Sequence, residues 1–262
     1  MNFLKEFLMC FLKPDIWVFF SHKKITLKYK DTFLGPFWNV ASSIFLISIL
    51  SLSFFIFLNP ENFKDFIYRL SISVFFWIFI STFLNESTSI LENKIELLNE
   101  KKIDIKNFIL ENMYTNFIIF LHSIPIIIVL FFISDYKFQL NIIFTLLGLL
   151  LVLINLILIG YFITILSAIY KDVKKIVENL VYAFFFATPI IWSENMVTEK
   201  IQELLILNPF YHFIVLFRNP LMNNIDDKFY ESFFICLLTM TIIFIINLRI
   251  YKYLERKIVL YL

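Results

Sequence analysis

"LNIIFTLLGLLLVLINLILIGYFITIL", residues 140–166, carries no charged side chain. An uncharged apolar run of about 18 residues or more reads as a transmembrane helix, since that length is what a helix needs to cross the hydrocarbon layer. This stretch decides the fold class: the chain is expected to be an all-α integral membrane protein. Composition agrees, because 60% of the 262 residues are hydrophobic and 35 are Phe, whereas a soluble domain keeps roughly half its residues apolar.

Six spans are expected, at about 37–58, 70–91, 113–134, 140–166, 176–192 and 231–248. The fifth is short for a crossing and needs a partly buried continuation at its end. "SDYKFQ" and "YKDVKK" make tight turns on either side of the fourth. Lysine and arginine concentrate on the cytoplasmic side of membrane proteins. Seventeen of the 23 Lys and Arg fall on the side holding both ends of the chain and six on the other, so both termini are expected in the cytoplasm.

One apolar segment does not fit the series. "LNPFYHFIVLFRNPL", residues 207–221, is interrupted at Asn208-Pro209 and again at Asn219-Pro220. Its uninterrupted core, "FYHFIVLF", would reach only about 12 Å as a helix. Irregular backbone at membrane depth survives only where protein or a wet cavity satisfies its polar groups. The segment therefore reads as a re-entrant or interfacial helix pair on the outer face, or as an amphipathic surface helix. Thr188-Pro189 should loosen the end of span five, because proline removes a backbone donor and crowds the preceding turn. Trp192 follows at interface depth. Arg218 is costly in hydrocarbon, so it should face a wet cavity, a carboxylate such as Glu203, or a lipid diphosphate.

The N-terminal "NFLKEFLMCFL" has Phe3, Leu4, Phe7, Leu8 and Phe11 at helical spacing, with Lys5, Glu6 and Lys13 opposite. With charges inside the apolar pattern and no small-residue cleavage site, it reads as a membrane-surface helix, packing against another helix being the alternative. The basic stretch that follows places Lys28, Tyr29 and Lys30 ahead of an interfacial Trp38. On the same side, "ENKIELLNEKKIDIKNF", residues 92–108, alternates acids and lysines around apolar positions. It suits a short helix docked on a soluble partner, with Glu92, Lys94, Ile95, Glu96, Leu98, Glu100 and Lys101 as the contact set.

Several chemistries are disfavoured. Cys10 and Cys236 are the two cysteines, too few for a metal cluster or a disulfide framework. Three glycines cannot build a Walker loop or a dinucleotide fingerprint, so no ATP, magnesium or other cofactor is expected on this chain. His122 and Asn155 are the nearest approach to mid-membrane ionisable groups, where coupled carriers place their relays. The outer acids show no paired motif, which weighs against an enzyme of glycan assembly, and the partner-docking segment weighs against a passive channel.

Four stretches carry a resemblance to a known family: "LKYKDTFLGPFW" (27–38), "FLNESTSILENKIELL" (83–98), "SAIYKDVKKIVENLVYAFFFATPIIWSENM" (167–196) and "LNPFYHFIVLFRNPLM" (207–222). In order and spacing they resemble the permease subunit of ABC-2 type polysaccharide exporters, on the O-antigen rather than the capsule branch. The turn at Lys171-Asp172 departs from the Arg-Asp of that family, keeping the charge without the planar fork.

The resemblance implies a single membrane domain over 1–262, with 1–36 as a cytoplasmic interface segment, in the bacterial inner membrane. It implies a homodimer with two separate ABC ATPase subunits that bind ATP and magnesium, a coupling helix between spans two and three, and outer gate helices between spans five and six. The cargo would be undecaprenyl-diphosphate-linked polysaccharide, with capsule or teichoic acid as alternatives; nucleic acid is no partner. The path and gate are expected at Phe37, Tyr182, Phe185, Thr188, Pro189, Trp192, Asn208, Pro209, His212 and Arg218.

Overall fold

The computed structural model describes residues 3–58, 62–99, 104–137 and 139–254, and every regular element among them is helical. Two N-terminal helices, α1 (Phe3–Phe11) and α2 (Pro14–Lys28), precede α3 (Phe37–Leu58) and α4 (Phe63–Ser87). Next come α5 (Ile90–Asn99), α6 (Ile105–Leu121), α7 (Ile124–Ile133) and α8 (Ile142–Ile169). The chain ends with α9 (Asp172–Ala187), α10 (Glu199–Leu205), α11 (Pro209–Leu221) and α12 (Asp227–Leu254).

Five runs are long and apolar enough to cross a membrane: α3, α4, the pair α6–α7, α8 and α12. The region read as a fifth crossing, 176–192, holds most of α9 and the residues after it; α9 is sixteen residues long with an acidic and basic first turn, shorter than those five runs. Two boundaries move because of capping. Asn62 accepts the Asp65 backbone N–H at 3.2 Å and starts α4 well before residue 70. Asp104 accepts the Lys106 N–H at 2.9 Å and starts α6 at Ile105, so the stretch 92–108 divides between two helices. Phe108 is consequently buried in the bundle.

α4 is the most enclosed of the five runs. Its Phe76 stacks on Phe217 of α11 with ring centroids 4.2 Å apart and meets Phe120 of α6 at 5.8 Å. Lipid tails are as apolar as leucine, so association in the bilayer rests on close packing and interhelical hydrogen bonds. Asn155 of α8 donates to Cys236 O of α12 at 3.1 Å and accepts from the Thr239 hydroxyl at 3.1 Å. Asn247 of α12 donates to Leu158 O at 2.9 Å. Asn155 thus ties two helices, and His122 closes the end of α6 through Ile118 O at 2.8 Å.

The bundle has two distinct ends. At the terminal end, the Tyr251 hydroxyl near the close of α12 donates to Glu6 of α1 at 2.7 Å, and Thr164 of α8 donates to Ser87 O of α4 at 2.9 Å. At the far end, Lys64 of α4 pairs with Asp135 between α7 and α8 at 3.3 Å. α8 therefore finishes at the terminal end, whereas Lys228 near the start of α12 pairs with Glu194 at the far end. The segment from α9 to α11 carries the chain from one end to the other.

α1 divides its apolar residues between two surroundings. Phe3 is buried against Tyr161, Phe244 and Tyr251, and Phe7 packs beside it. Leu4, Leu8, Phe11 and Leu12 remain exposed along its other edge.

Candidate functional site

The far end is shaped by two prolines. α9 stops at Ala187, and Thr188 turns extended (φ −101, ψ 139) ahead of Pro189. A 3-10 turn, Glu194–Met196, and α10 follow before the chain restarts at Pro209. Asn208 joins the two breaks. Its Oδ1 accepts the N–H groups of Phe210 and Tyr211 at 3.0 and 3.4 Å, capping α11. Its Nδ2 donates to Thr188 Oγ1 at 2.9 Å and to Ala187 O at 3.4 Å.

α11 is a thirteen-residue helix buried along most of its length, about 20 Å long. Asn219-Pro220 does not interrupt it, contrary to the sequence reading: Pro220 lies within the helix. Proline at that position leaves Leu216 O without its helical donor. That carbonyl lies against Gly148 of α8, where an added Cβ would stand 2.6 Å from it. The glycine lets α8 approach α11 closely at that carbonyl.

His212 is fully buried, with Nδ1 2.9 Å from Ser232 Oγ of α12 and Nε2 2.9 Å from Ile206 O. Both nitrogens are occupied, so this histidine ties α11 to its neighbours. Arg218 is buried too; Nη1 donates to Pro189 O at 2.8 Å and reaches Ser73 Oγ of α4 at 3.4 Å. Its nearest carboxylate is Glu194, at 3.8 Å from Nη2. Glu203, the carboxylate named in the sequence analysis beside a wet cavity and a lipid diphosphate, is exposed on α10.

Arg69 of α4 completes the arrangement by donating to Trp192 O at 2.9 Å. Two guanidinium groups thus hold the carbonyls that the Thr188-Pro189 break exposes. Arg69, Arg218, Glu194, Asp226 and Lys228 all line one cavity of about 480 Å³. The sequence reading counted Arg69 among loop charges; its signal was a lone arginine inside "FIYRLSISVFF", a run that otherwise belongs to the apolar pattern of α4.

The expected path residues separate into groups. Thr188, Pro189, Trp192, Asn208, Pro209, His212 and Arg218 assemble at the far end. Tyr182 and Phe185 lie on α9, the first exposed beside Phe186 and the second half-buried between Trp77 and Phe186. Phe37 stands apart at the start of α3, edge-on to His122 with centroids 5.0 Å apart, and Trp38 beside it is exposed.

The terminal end carries a different set. Lys24 and Lys28 of α2 reach the two oxygens of Glu86 at 2.8 and 3.4 Å. Tyr29 Oη accepts from Asn39 Nδ2 at 2.6 Å, and Lys30 is exposed. On α5, Glu92 is exposed, whereas Lys94 turns inward to Glu111 at 3.1 Å, between the rings of Phe20 and Phe108. The side chains of Ile95, Glu96 and Leu98, and Glu100 and Lys101 altogether, lie outside the described residues. Lys106 is wholly enclosed and bonded to Glu6 at 2.8 Å and to Asp104 at 3.3 Å. Burial alone raises the Glu6 carboxyl, but its bonds to Lys106 and Tyr251 outweigh that and hold it below the usual carboxylate value.

No family model matches the chain. Two O-antigen export system permease proteins RfbA of Klebsiella pneumoniae are 24% identical to it, over 254 and 252 residues, covering 93% of both chains. A protein of the same description from Myxococcus xanthus is 21% identical over 211 residues, 80% of this chain and 78% of its own. The resemblance carried by the four sequence stretches therefore extends over nearly the whole length.

Proposed function

We propose that this chain, similar from end to end to O-antigen export permeases, is the membrane-spanning subunit of an ATP-driven exporter of lipid-linked O-antigen polysaccharide. The observation that carries the reading is the extent of the match to these relatives, 93% of both chains. A multi-pass helical bundle is the architecture such a subunit requires. Hydrolysis falls to a separate nucleotide-binding subunit, and this chain supplies the passage.

In this reading the terminal end faces the cytoplasm and the far end faces outward across the inner membrane. The excess of Lys and Arg at the terminal end supports that orientation. The single membrane domain crosses six times, with α9 as the short fifth crossing, completed by the extended 188–192 segment. Support comes from the chain leaving α8 at one end and entering α12 at the other. α5 is the coupling helix and offers Glu92 to the ATPase, while Lys94 secures it to the bundle; Glu96 and Glu100 belong to the same contact set.

Two copies enclose the path between α3 and α9. Phe45, Leu52 and Ile56 on α3, and Tyr182 and Phe186 on α9, are exposed on the single chain. Flat aromatic faces let a sugar chain bind weakly and keep moving, and 35 Phe leave many others for lipid contact. Undecaprenyl-diphosphate-linked glycan is the cargo of this reading.

The test is ATP-dependent appearance of O-polysaccharide outside cells that lack their own permease and receive this chain with its ATPase. Charge reversal at Glu96 and Glu100 should uncouple hydrolysis from export while leaving insertion intact. Normal export from that double variant counts against the coupling assignment. Absence of inter-subunit cross-links between cysteines placed along α3 and α9 would sink the dimer arrangement.

A further inference from the structure

One charged side chain described on α5 points into the bundle. Along that helix Ile90 and Leu91 are buried, Glu92 and Asn93 are exposed, and Lys94 is half-buried. Lys94 falls one turn after Ile90 and Leu91, on the same helix face. Its ammonium stands 3.1 Å from Glu111 Oε1 of α6, 5.2 Å from the ring centroid of Phe20 of α2 and 5.3 Å from that of Phe108 of α6. Helices from three parts of the chain thus meet at one cation.

Glu111 depends on that cation. Its side chain is 2% exposed, and among the described residues Oε2 is buried without a hydrogen-bond partner. Withdrawing Lys94 would strand a negative charge in the protein interior, so the carboxylate fixes whatever carries its partner. Glu111 also reaches α2 through its main chain, because the wholly buried Ser21 hydroxyl lies 3.0 Å from Glu111 O. Further along the same helices, Lys24 of α2 bonds Glu86 of α4 at 2.8 Å, and Glu86 also accepts from Asn116 of α6 at 3.1 Å.

The two faces of α5 therefore differ in kind. Glu92 faces outward, where a soluble partner can press on it. Ile90 and Leu91 supply apolar contact, which is non-directional and lets one helix roll over another. The ion pair does not allow rolling, because any displacement of α5 becomes a pull on Glu111.

We infer that Lys94 and Glu111 are a positioning pair for energy coupling. They join α5 to α2 and α6 as one body, so that a push on the outward face of α5 moves the terminal end of the bundle instead of rolling α5 over it. The coupling role rests on the exporter reading; the joint itself does not.

The experiment uses the full chain with its ATPase. It reads ATP hydrolysis by the complex in nanodiscs and surface O-polysaccharide in cells that lack their own permease. Lys94→Met keeps the stem between the rings and removes the charge. Surface polysaccharide should fall by roughly tenfold while hydrolysis continues, an effect within the range of coupling between residues in contact. Lys94→Arg keeps the charge and stacks on both rings, so export should stay within about twofold of the parent. The double variant Lys94→Met, Glu111→Gln removes both charges together. Its thermal stability should return close to the parent's, because no charge is stranded, while export stays as low as in Lys94→Met alone. A role in folding alone requires the opposite, export recovering with stability. Should Lys94→Met fail to assemble, the double variant carries the test. Hydrogen exchange on the chain without its ATPase reads the joint, and Lys94→Met should accelerate it in α5 while α8 and α12 stay protected. Export equal to the parent's in the double variant overturns the coupling role, and unchanged exchange in α5 overturns the joint. Absence of export by the parent chain removes the exporter reading and the coupling role with it, and the exchange measurement still decides the joint.

Discussion

The two ends of the bundle treat buried charge differently. At the terminal end three inward-turned lysines have a carboxylate within bonding distance: Lys24 with Glu86, Lys94 with Glu111, Lys106 with Glu6. At the far end the arginines bond main-chain carbonyls, and one carboxylate is divided between Lys228 and Arg218. A charge closed by its own counter-ion fixes a joint, because removing either partner strands the other. A carbonyl is a weaker, neutral acceptor, and an anion can compete with it. The first end holds α1, α2 and α5 through ion pairs, and the second holds the 189–192 segment through neutral acceptors.

The largest effect should come from breaking the terminal-end network at its centre. Lys106→Met leaves Glu6 and Asp104 without their cation, and removing one partner of a buried pair costs about 3 kcal/mol or more. Thermal unfolding in nanodiscs should show it, with α1 becoming accessible to protease first. A variant as stable as the parent would mean that the terminal end is no more closed than the far one.

Gly148→Val tests the far half by overfilling it. Its Cβ would stand 2.6 Å from Leu216 O and 3.0 Å from Leu216 Cβ, and overpacking of this kind costs about 1–3 kcal/mol. Cysteine cross-linking between α8 and α11 should become inefficient as the helices separate. Unchanged cross-linking would place the contact outside what holds α11.

Asn208→Ala should have a smaller effect, about 1 kcal/mol for the lost cap. It also frees Thr188 and Ala187 from the start of α11, so hydrogen exchange should accelerate at Phe210 and Tyr211 while α8 and α12 stay protected. Spreading of that exchange into α12 would show the far end to be as tightly joined as the terminal one.

The smallest effect is one of pH. The Glu6 carboxyl is held below its usual value, so its contribution is present at neutral pH and is lost as pH falls through that depressed value. The indole of Trp17, which donates to Cys10 O at 3.1 Å, reports on the α1–α2 joint. Its fluorescence should change on acidification below the normal carboxylate range, and Glu6→Gln should remove that transition.

What was legible in the sequence was local. Long uncharged runs give crossings because hydrophobic length is a property of consecutive residues, and α3, α8 and α12 follow from it. Thr188-Pro189 and Asn208-Pro209 read correctly as breaks, since proline acts on its own turn. Asn219-Pro220 was misread because Pro220 falls in the last turn of α11, where a single lost helical bond does not end the helix. Lys106 looked like part of a docking surface, yet its partner Glu6 lies a hundred positions earlier in the chain. Arg69 passed for a loop charge just ahead of the span expected at 70–91, and of the surroundings expected for Arg218 the fold supplies a cavity, with Glu194 rather than Glu203 as the carboxylate. Pairing of charge over such separations is set by the packing of helices and leaves no periodic trace.

The contact between Gly148 and the Leu216 carbonyl has a genetic consequence. Pro220 withholds the helical donor from Leu216 O, and the absent side chain at 148 leaves room for α8 against the same carbonyl, so the two positions act on one group. A side chain at 148 should be deleterious beside Pro220 and milder once position 220 can donate its own N–H to residue 216. The reverse replacement, Pro220→Ala in the parent, restores the helical bond and leaves Gly148 as a residue whose smallness serves packing alone. Mutational scans of the two positions together should show this asymmetry as epistasis between sites that no sequence motif connects.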